Sequence, residues 1–266
     1  MKSPFLLPAA ACCALGLLLA ACGGSVPATP VATLDPGCTS DGRLVRDEAP
    51  SEVNVLPIAF QVYLPPCYDS QPGRSYPVLY LLHGRGSSEA SWFGAGMDVI
   101  AESHIRSGDV PPFLLVTPRM VEEDREVDFM LRDVIPYVEG HYRVLGDRRH
   151  RAVGGGSLGA IFAVRLALQH PDQFASVAAF GGAAVSGEEE VLRGWIDDIP
   201  RDQRPRVLID IGQQDTMLFS GQILMDLLDE ADYPYRFNSE EGGHTYVYWA
   251  GNLDEFALAW IAEDWR

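Results

Sequence analysis

Lysine is almost missing from the sequence: among 266 residues only Lys2 carries the ε-amine. A phosphate-binding loop of the Walker type, a Schiff-base enzyme and a Ser-Lys dyad each need a lysine at the reaction centre. All three are excluded once Lys2 falls in a segment destined for removal. Positive charge is scarce in general, with 20 Lys and Arg against 37 Asp and Glu and a formal net charge of −17. Nucleic acid is therefore excluded as a partner, because phosphate binding needs clustered basic residues, and the acidity reads as ordinary solubility. No internal repeat is present. No His, Cys and carboxylate cluster has metal-ligand spacing, so neither a metal nor another cofactor is expected.

Long hydrophobic runs are also lacking. The most apolar one, Ala14-Leu15-Gly16-Leu17-Leu18-Leu19-Ala20-Ala21, is short for a membrane span and, behind Lys2, has the layout of an export signal. Residues 1–21 read as a lipoprotein signal peptide, since Leu19-Ala20-Ala21-Cys22 resembles a bacterial lipobox with Cys22 as the lipidation site; a plain secretory signal is the alternative. Residues 22–40 follow as a flexible tether, rich in Gly, Pro, Ala and Thr without periodicity, with an r.m.s. span of about 20 Å. The expected location is the bacterial cell envelope, lipid-anchored. Of five cysteines, Cys12 and Cys13 lie in the signal, leaving Cys38 and Cys67 as a disulfide pair or as two free buried thiols.

What is present, from 41 to 266, is one domain of alternating elements. Val53 to Leu64 reads as a strand ended by Pro65-Pro66, and Val78 to Leu82 as a strand buried on both faces. Further strands are expected over Phe113 to Thr117, His150 to Gly154, Phe174 to Phe180, Arg206 to Ile211 and Tyr235 to Asn238. Helices are expected over Glu126 to Tyr142, where Pro136 should kink or break the run, over Ile161 to Leu168, Met217 to Ala231 and Leu253 to Ile261. The alternation implies an α/β fold with a mostly parallel central sheet and helices on both faces. The stretch from Gly181 to Arg206, holding Glu188-Glu189-Glu190 and Trp195, is a candidate cap.

Gly155-Gly156-Ser157-Leu158-Gly159 fits G-x-S-x-G, the strand-to-helix turn that exposes a nucleophilic serine. The same letters contain Gly154-x-Gly156-x-x-Gly159, the dinucleotide fingerprint, but the next strand ends in Gly181-Gly182 where a cofactor fold would need an acidic residue. Asp215 and His244 follow at later strand ends, in the order Ser, Asp, His. A serine hydroxyl is a weak nucleophile until a base takes its proton, so Ser157, His244 and Asp215 form a candidate catalytic set, with Asp210 the competitor for the acidic place. The oxyanion donors would be the backbone N–H groups of Leu158 and of Arg85, the latter in His83-Gly84-Arg85-Gly86. His83 is expected to order that loop. His104, His141, His150 and His170 read as surface or capping residues. Trp92, Phe93, Phe219, Tyr246 and Trp249 are candidates for either a substrate pocket or the core.

Val62-Tyr63-Leu64-Pro65-Pro66, Leu79-Tyr80-Leu81-Leu82-His83-Gly84, Gly156-Ser157-Leu158-Gly159, Gly212-Gln213-Gln214-Asp215 and Gly243-His244-Thr245 together resemble the putative-esterase branch of the α/β-hydrolase superfamily. That branch includes feruloyl esterases, enterochelin esterases, S-formylglutathione hydrolases and mycolyltransferases. The resemblance covers about residues 53 to 262 and implies an α/β-hydrolase fold and a serine esterase acting on small-molecule or glycan-linked esters. Acyl transfer on the same fold, and a non-catalytic binding lipoprotein that keeps an inactive hydrolase fold, are the alternatives.

Overall fold

The computed structural model describes residues 33–120 and 126–266; the segment expected to be an export signal, and Cys22, lie outside the described residues. Eight strands form one sheet in the order β1-β2-β4-β3-β5-β6-β7-β8. They are β1 (Arg43–Ala49), β2 (Ile58–Leu64), β3 (Val78–Leu82), β4 (Leu114–Pro118), β5 (Arg151–Gly156), β6 (Ser176–Phe180), β7 (Arg206–Asp210) and β8 (Tyr235–Asn238). β2 runs antiparallel to both β1 and β4, and every pairing from β4 through β8 is parallel.

Successive residues of a strand point to opposite faces, and β3 divides its side chains accordingly. Val78, Tyr80 and Leu82 enter one apolar cluster, together with Phe162, Leu166, Leu224 and Leu228 of the helices Leu158–Gln169 and Leu218–Glu230. Leu79 and Leu81 enter the other, with Met97, Ala101 and Ile105 of the helix Met97–Ser107 and with the C-terminal Leu258, Ile261 and Trp265. The sheet is thus covered on both faces, which is why β3, β4, β5 and β6 are mostly apolar and buried throughout.

The region around Pro136 shows how one residue shapes a helix. Glu126–Asp128 is α-helical, Phe129–Val134 widens into a π turn, and Ile135–His141 resumes the α-helix with Pro136 in its first turn. Proline has no N–H and its ring crowds the carbonyl four residues earlier, and a widened turn relieves both. The strand expected from Val53 begins only at Ile58, and β1 precedes it as an edge strand whose sequence, Arg-Leu-Val-Arg-Asp-Glu-Ala, is too charged for an apolar pattern to reveal. The candidate cap contains a helix, Glu189–Asp198, that buries Leu192 and Ile196 on the same cluster as its neighbours, with Glu188 paired to Arg165 at its entry. Cys38 and Cys67 are bonded, with Cα atoms 5.8 Å apart, which fastens the segment ahead of β1 to the end of β2.

Candidate active site

The register aligns the strand ends. Leu82 lies opposite Gly155, Gly156 opposite Phe180, Phe180 opposite Asp210 and Asp210 opposite Asn238. The loops that begin at His83, Ser157, Gly181 and Ile211, and the one that carries His244, therefore leave the sheet along a single carboxyl-terminal edge, where open α/β sheets place their sites.

Ser157 sits between β5 and the helix Leu158–Gln169 with φ 57° and ψ −119°, a conformation rare for a residue with a side chain. Its own N–H donates to Phe180 O on β6 (2.8 Å), and its carbonyl accepts from Ala160 and Ile161, so the strained turn is held on both sides. Leu158 is the first residue of that helix, where an N–H has no carbonyl one turn back and points out of the helix end. The chain can turn so sharply because β5 and the helix touch backbone to backbone. A Cβ on Gly155 would stand 2.5 Å from the Gly159 carbonyl group, and a Cβ on Gly156 would stand 2.5 Å from the Trp249 ring.

Asp215 is buried, and its Oδ1 accepts the N–H of Met217 (2.8 Å). Both of its oxygens face His244 Nδ1, at 3.0 and 2.9 Å. A carboxylate only accepts, so Nδ1 carries hydrogen and Nε2, across the ring, is the nitrogen left to take a proton. The imidazole stands edge-on to Trp249 (centroids 5.0 Å apart), the same indole that packs on Gly156 beside Ser157. Gln214 exchanges two hydrogen bonds with Gly242, which ties the loop of Asp215 to the loop of His244. Asp210 does not meet the imidazole. It lies at the buried end of β7 and accepts from Tyr248 Oη, Asn252 Nδ2 and Asn238 Nδ2, and burial raises its pKa to about 6 against those hydrogen bonds.

His83 is built into the adjacent loop. Its Nε2 accepts the N–H of Met120 (3.1 Å), so Nδ1 is the protonated nitrogen and donates to Gly84 O (2.9 Å). Burial lowers its pKa, in keeping with a neutral ring that uses both nitrogens. Gly84 lies directly against the serine: a Cβ there would stand 3.3 Å from Ser157 Cβ and 3.4 Å from the Gly156 carbonyl. This places the segment leading to Arg85 beside Ser157.

Among the aromatic candidates, Trp92 and Trp249 are buried core beneath the site, and Trp92 Nε1 donates to Leu82 O (3.0 Å). Phe219 is 52% exposed. Tyr246 is partly buried between the two tryptophans (5.1 and 5.0 Å), with its hydroxyl on Gly84 N–H, a contact announced in the sequence only by its place two residues after His244. His104 and His150, expected as surface or capping residues, are mostly buried and paired with Asp254 and Asp147. Among the described residues no group of three or more His, Cys, Asp or Glu side chains is gathered in the manner of metal ligands.

The Putative esterase family model matches residues 56–259. The chain is 30% identical over 149 residues to endo-1,4-beta-xylanase Y of Acetivibrio thermocellus, covering 50% of this chain and 13% of that protein. It is 30% identical over 127 residues to endo-1,4-beta-xylanase/feruloyl esterase of Xylanibacter ruminicola, covering 43% and 18%. It therefore spans less than a fifth of the length of either. A ferulic acid esterase structure superposes with a TM-score of 0.76 at 24% identity, covering 86% of this chain and all of that one. S-formylglutathione hydrolase from Staphylococcus aureus superposes at 0.71 and 20%, covering 84% and 97%. The feruloyl esterase module of Clostridium thermocellum, complexed with sinapinate, gives 0.73 and 20%, covering 90% and 97%. With the strand order, the aligned strand ends and the family match together, the chain has the α/β-hydrolase fold and belongs to the Putative esterase family.

Proposed function

We propose that this esterase-family protein is a serine carboxylic-ester hydrolase working through an acyl-enzyme. Ser157 attacks the ester carbonyl, His244 Nε2 takes the hydroxyl proton and returns it to the leaving alkoxide, and Asp215 holds the imidazole in its Nδ1–H form and stabilises the imidazolium. The N–H groups of Leu158 and Arg85 receive the developing oxyanion. Water then enters and attacks the acyl carbon as His244 takes its proton; collapse of the adduct breaks the bond to Ser157 Oγ, which recovers that proton from His244 as the acid leaves. The observation that carries this reading is the pairing of His244 Nδ1 with both Asp215 oxygens on the strand-end edge that also bears the positive-φ turn at Ser157.

The substrate in this reading is a small-molecule or glycan-linked ester. Hydroxycinnamate esters are the first to test, because sinapinate occupies one structural neighbour and ferulic acid esterases are among the others. The setting we propose is the cell envelope, with the domain anchored through Cys22. The decisive experiment is Ser157→Ala assayed with a p-nitrophenyl ester, for which a fall in kcat of about 10⁶ is expected. A fall of only tenfold would overturn the serine mechanism. Adding an acceptor alcohol and analysing products separates hydrolysis from acyl transfer, and labelling of Ser157 by a fluorophosphonate separates both from a binding protein with an inactive site.

A further inference from the structure

Gly84 presents a physical problem that the fold has to solve. It lies too close to Ser157 Cβ and the Gly156 carbonyl to carry a side chain comfortably, yet a glycine allows the peptides on either side of it the widest rotation of any residue. One of those peptides, Gly84 to Arg85, supplies the Arg85 N–H. Because a trans peptide is planar with its O and H pointing opposite ways, the direction of that N–H is fixed by whatever holds the Gly84 carbonyl. Two donors hold it: His83 Nδ1–H at 2.9 Å and Ser87 N–H at 3.1 Å.

The other peptide, His83 to Gly84, is held by Tyr246. The Gly84 N–H donates to Tyr246 Oη at 2.8 Å. The ring that carries this hydroxyl is itself fixed, edge-on to Trp92 (5.1 Å, 87°) and to Trp249 (5.0 Å, 72°), and Trp92 is pinned in turn to the end of β3 through Leu82 O. Tyr246 opens the helix Tyr246–Asn252, whose cap residue Thr245 follows His244 directly. One side chain therefore joins the segment carrying the base to the segment carrying the oxyanion donor.

Resting on the serine-esterase reading, we propose that Tyr246 is a positioning residue: through the Gly84 amide its hydroxyl orients the loop that presents the Arg85 N–H to the oxyanion, and holds that loop in register with His244. The hydroxyl touches neither substrate nor a reacting atom in this role. Its effect should be felt when charge develops on the carbonyl oxygen and not when the ester binds.

Tyr246→Phe keeps the ring between the two tryptophans and removes the acceptor. With a p-nitrophenyl ester the variant is expected to lose about five- to tenfold in kcat, the worth of one neutral hydrogen bond, with KM within twofold of the parent. Its affinity for a trifluoromethyl ketone, which forms a tetrahedral adduct needing the same donors, should fall by the same factor. Unchanged kcat and ketone affinity would overturn the proposal. So would a raised KM at constant kcat, which would make Tyr246 a substrate contact, or a kcat loss that disappears on assay well below a lowered Tm, which would make its role structural. Ser157→Ala run in parallel keeps the two readings apart. If Ser157→Ala stays active, the serine mechanism falls; if it is inactive while Tyr246→Phe matches the parent, the Tyr246 proposal alone falls.

Discussion

Adding a single methyl group at Gly159 tests the packing that presents Ser157, the proposed nucleophile. Gly159 lies in the first turn of the helix after Ser157, and a Cβ built on it stands 2.4 Å from Leu82 O and 2.6 Å from His83 O. Ordinary contact begins near 3.4 Å, and both obstacles are backbone atoms at the end of a fully buried strand, so neither can swing aside. Gly159→Ala must then drive the helix start and the end of β3 apart by roughly 1 Å, an overpacking that costs about 1–3 kcal/mol. For a domain of this size that lowers Tm by about 3–10 °C. The same displacement separates Ser157 and Leu158 from the His83-Gly84-Arg85 loop, and a 1 Å error in a reacting constellation is worth about 10² in rate. Thermal melting and p-nitrophenyl ester kinetics measure the two effects. Gly194→Ala is the control: it lies in the helix Glu189–Asp198 with nothing within 4 Å of the new methyl and should stabilise by up to ~1 kcal/mol through helix propensity. A Gly159→Ala protein with unchanged Tm and kcat within twofold of the parent would refute the close-packing account of this glycine.

The disulfide should contribute about 3–4 kcal/mol through the loop it closes across 29 positions, so Cys38→Ser with Cys67→Ser is expected to lower the unfolding free energy read from urea titration by that amount, and an unaltered free energy would count against it. Asp210 makes a pH-dependent contribution. Its pKa of about 6 in the fold is above the ordinary carboxylate value, so between pH ~4 and 6 the folded state holds a proton that the unfolded chain has lost. Its share of stability is therefore greatest at low pH and declines by roughly 2–3 kcal/mol as pH rises through that window. Asp210→Asn should accordingly gain on the parent in urea unfolding as pH goes from 4 to 7; a constant gap between the two proteins would show that Asp210 does not titrate this way.

Much of the architecture was legible because burial writes itself into sequence. β3 to β7 each hold a mostly apolar run, and Pro136 marks the widened turn in its helix. β1 was not legible, since an edge strand with one wet face can be filled with charge. The elbow motif and the order Ser, Asp, His single out Ser157, Asp215 and His244 in the sequence, and Asp215 rather than Asp210 is the carboxylate on His244. Asp210 belongs instead to a network with Tyr248 and Asn252 that spans 42 positions at its widest, and no local pattern encodes such a span. The Tyr246 hydroxyl is hidden for the same reason: it reaches a backbone amide 162 residues earlier, a partner that leaves no trace in side-chain identities. Trp92 and Trp249 could be read equally as pocket or core until their neighbours were known.

The bond between Cys38 and Cys67 also decides how the domain bears a mechanical load. β1 and β2 both lie inside the covalent loop that it closes. A pull on the chain ahead of Cys38 passes through the sulfurs to Cys67, bypassing the hairpin whose antiparallel pairs, beginning with Arg43 and Leu64, would otherwise open one at a time like a zipper. The tension travels on toward β3, which lies between β4 and β5 in the interior of the sheet. A domain tugged by its N-terminus would thus be loaded first at an interior strand, with its edge strand kept slack.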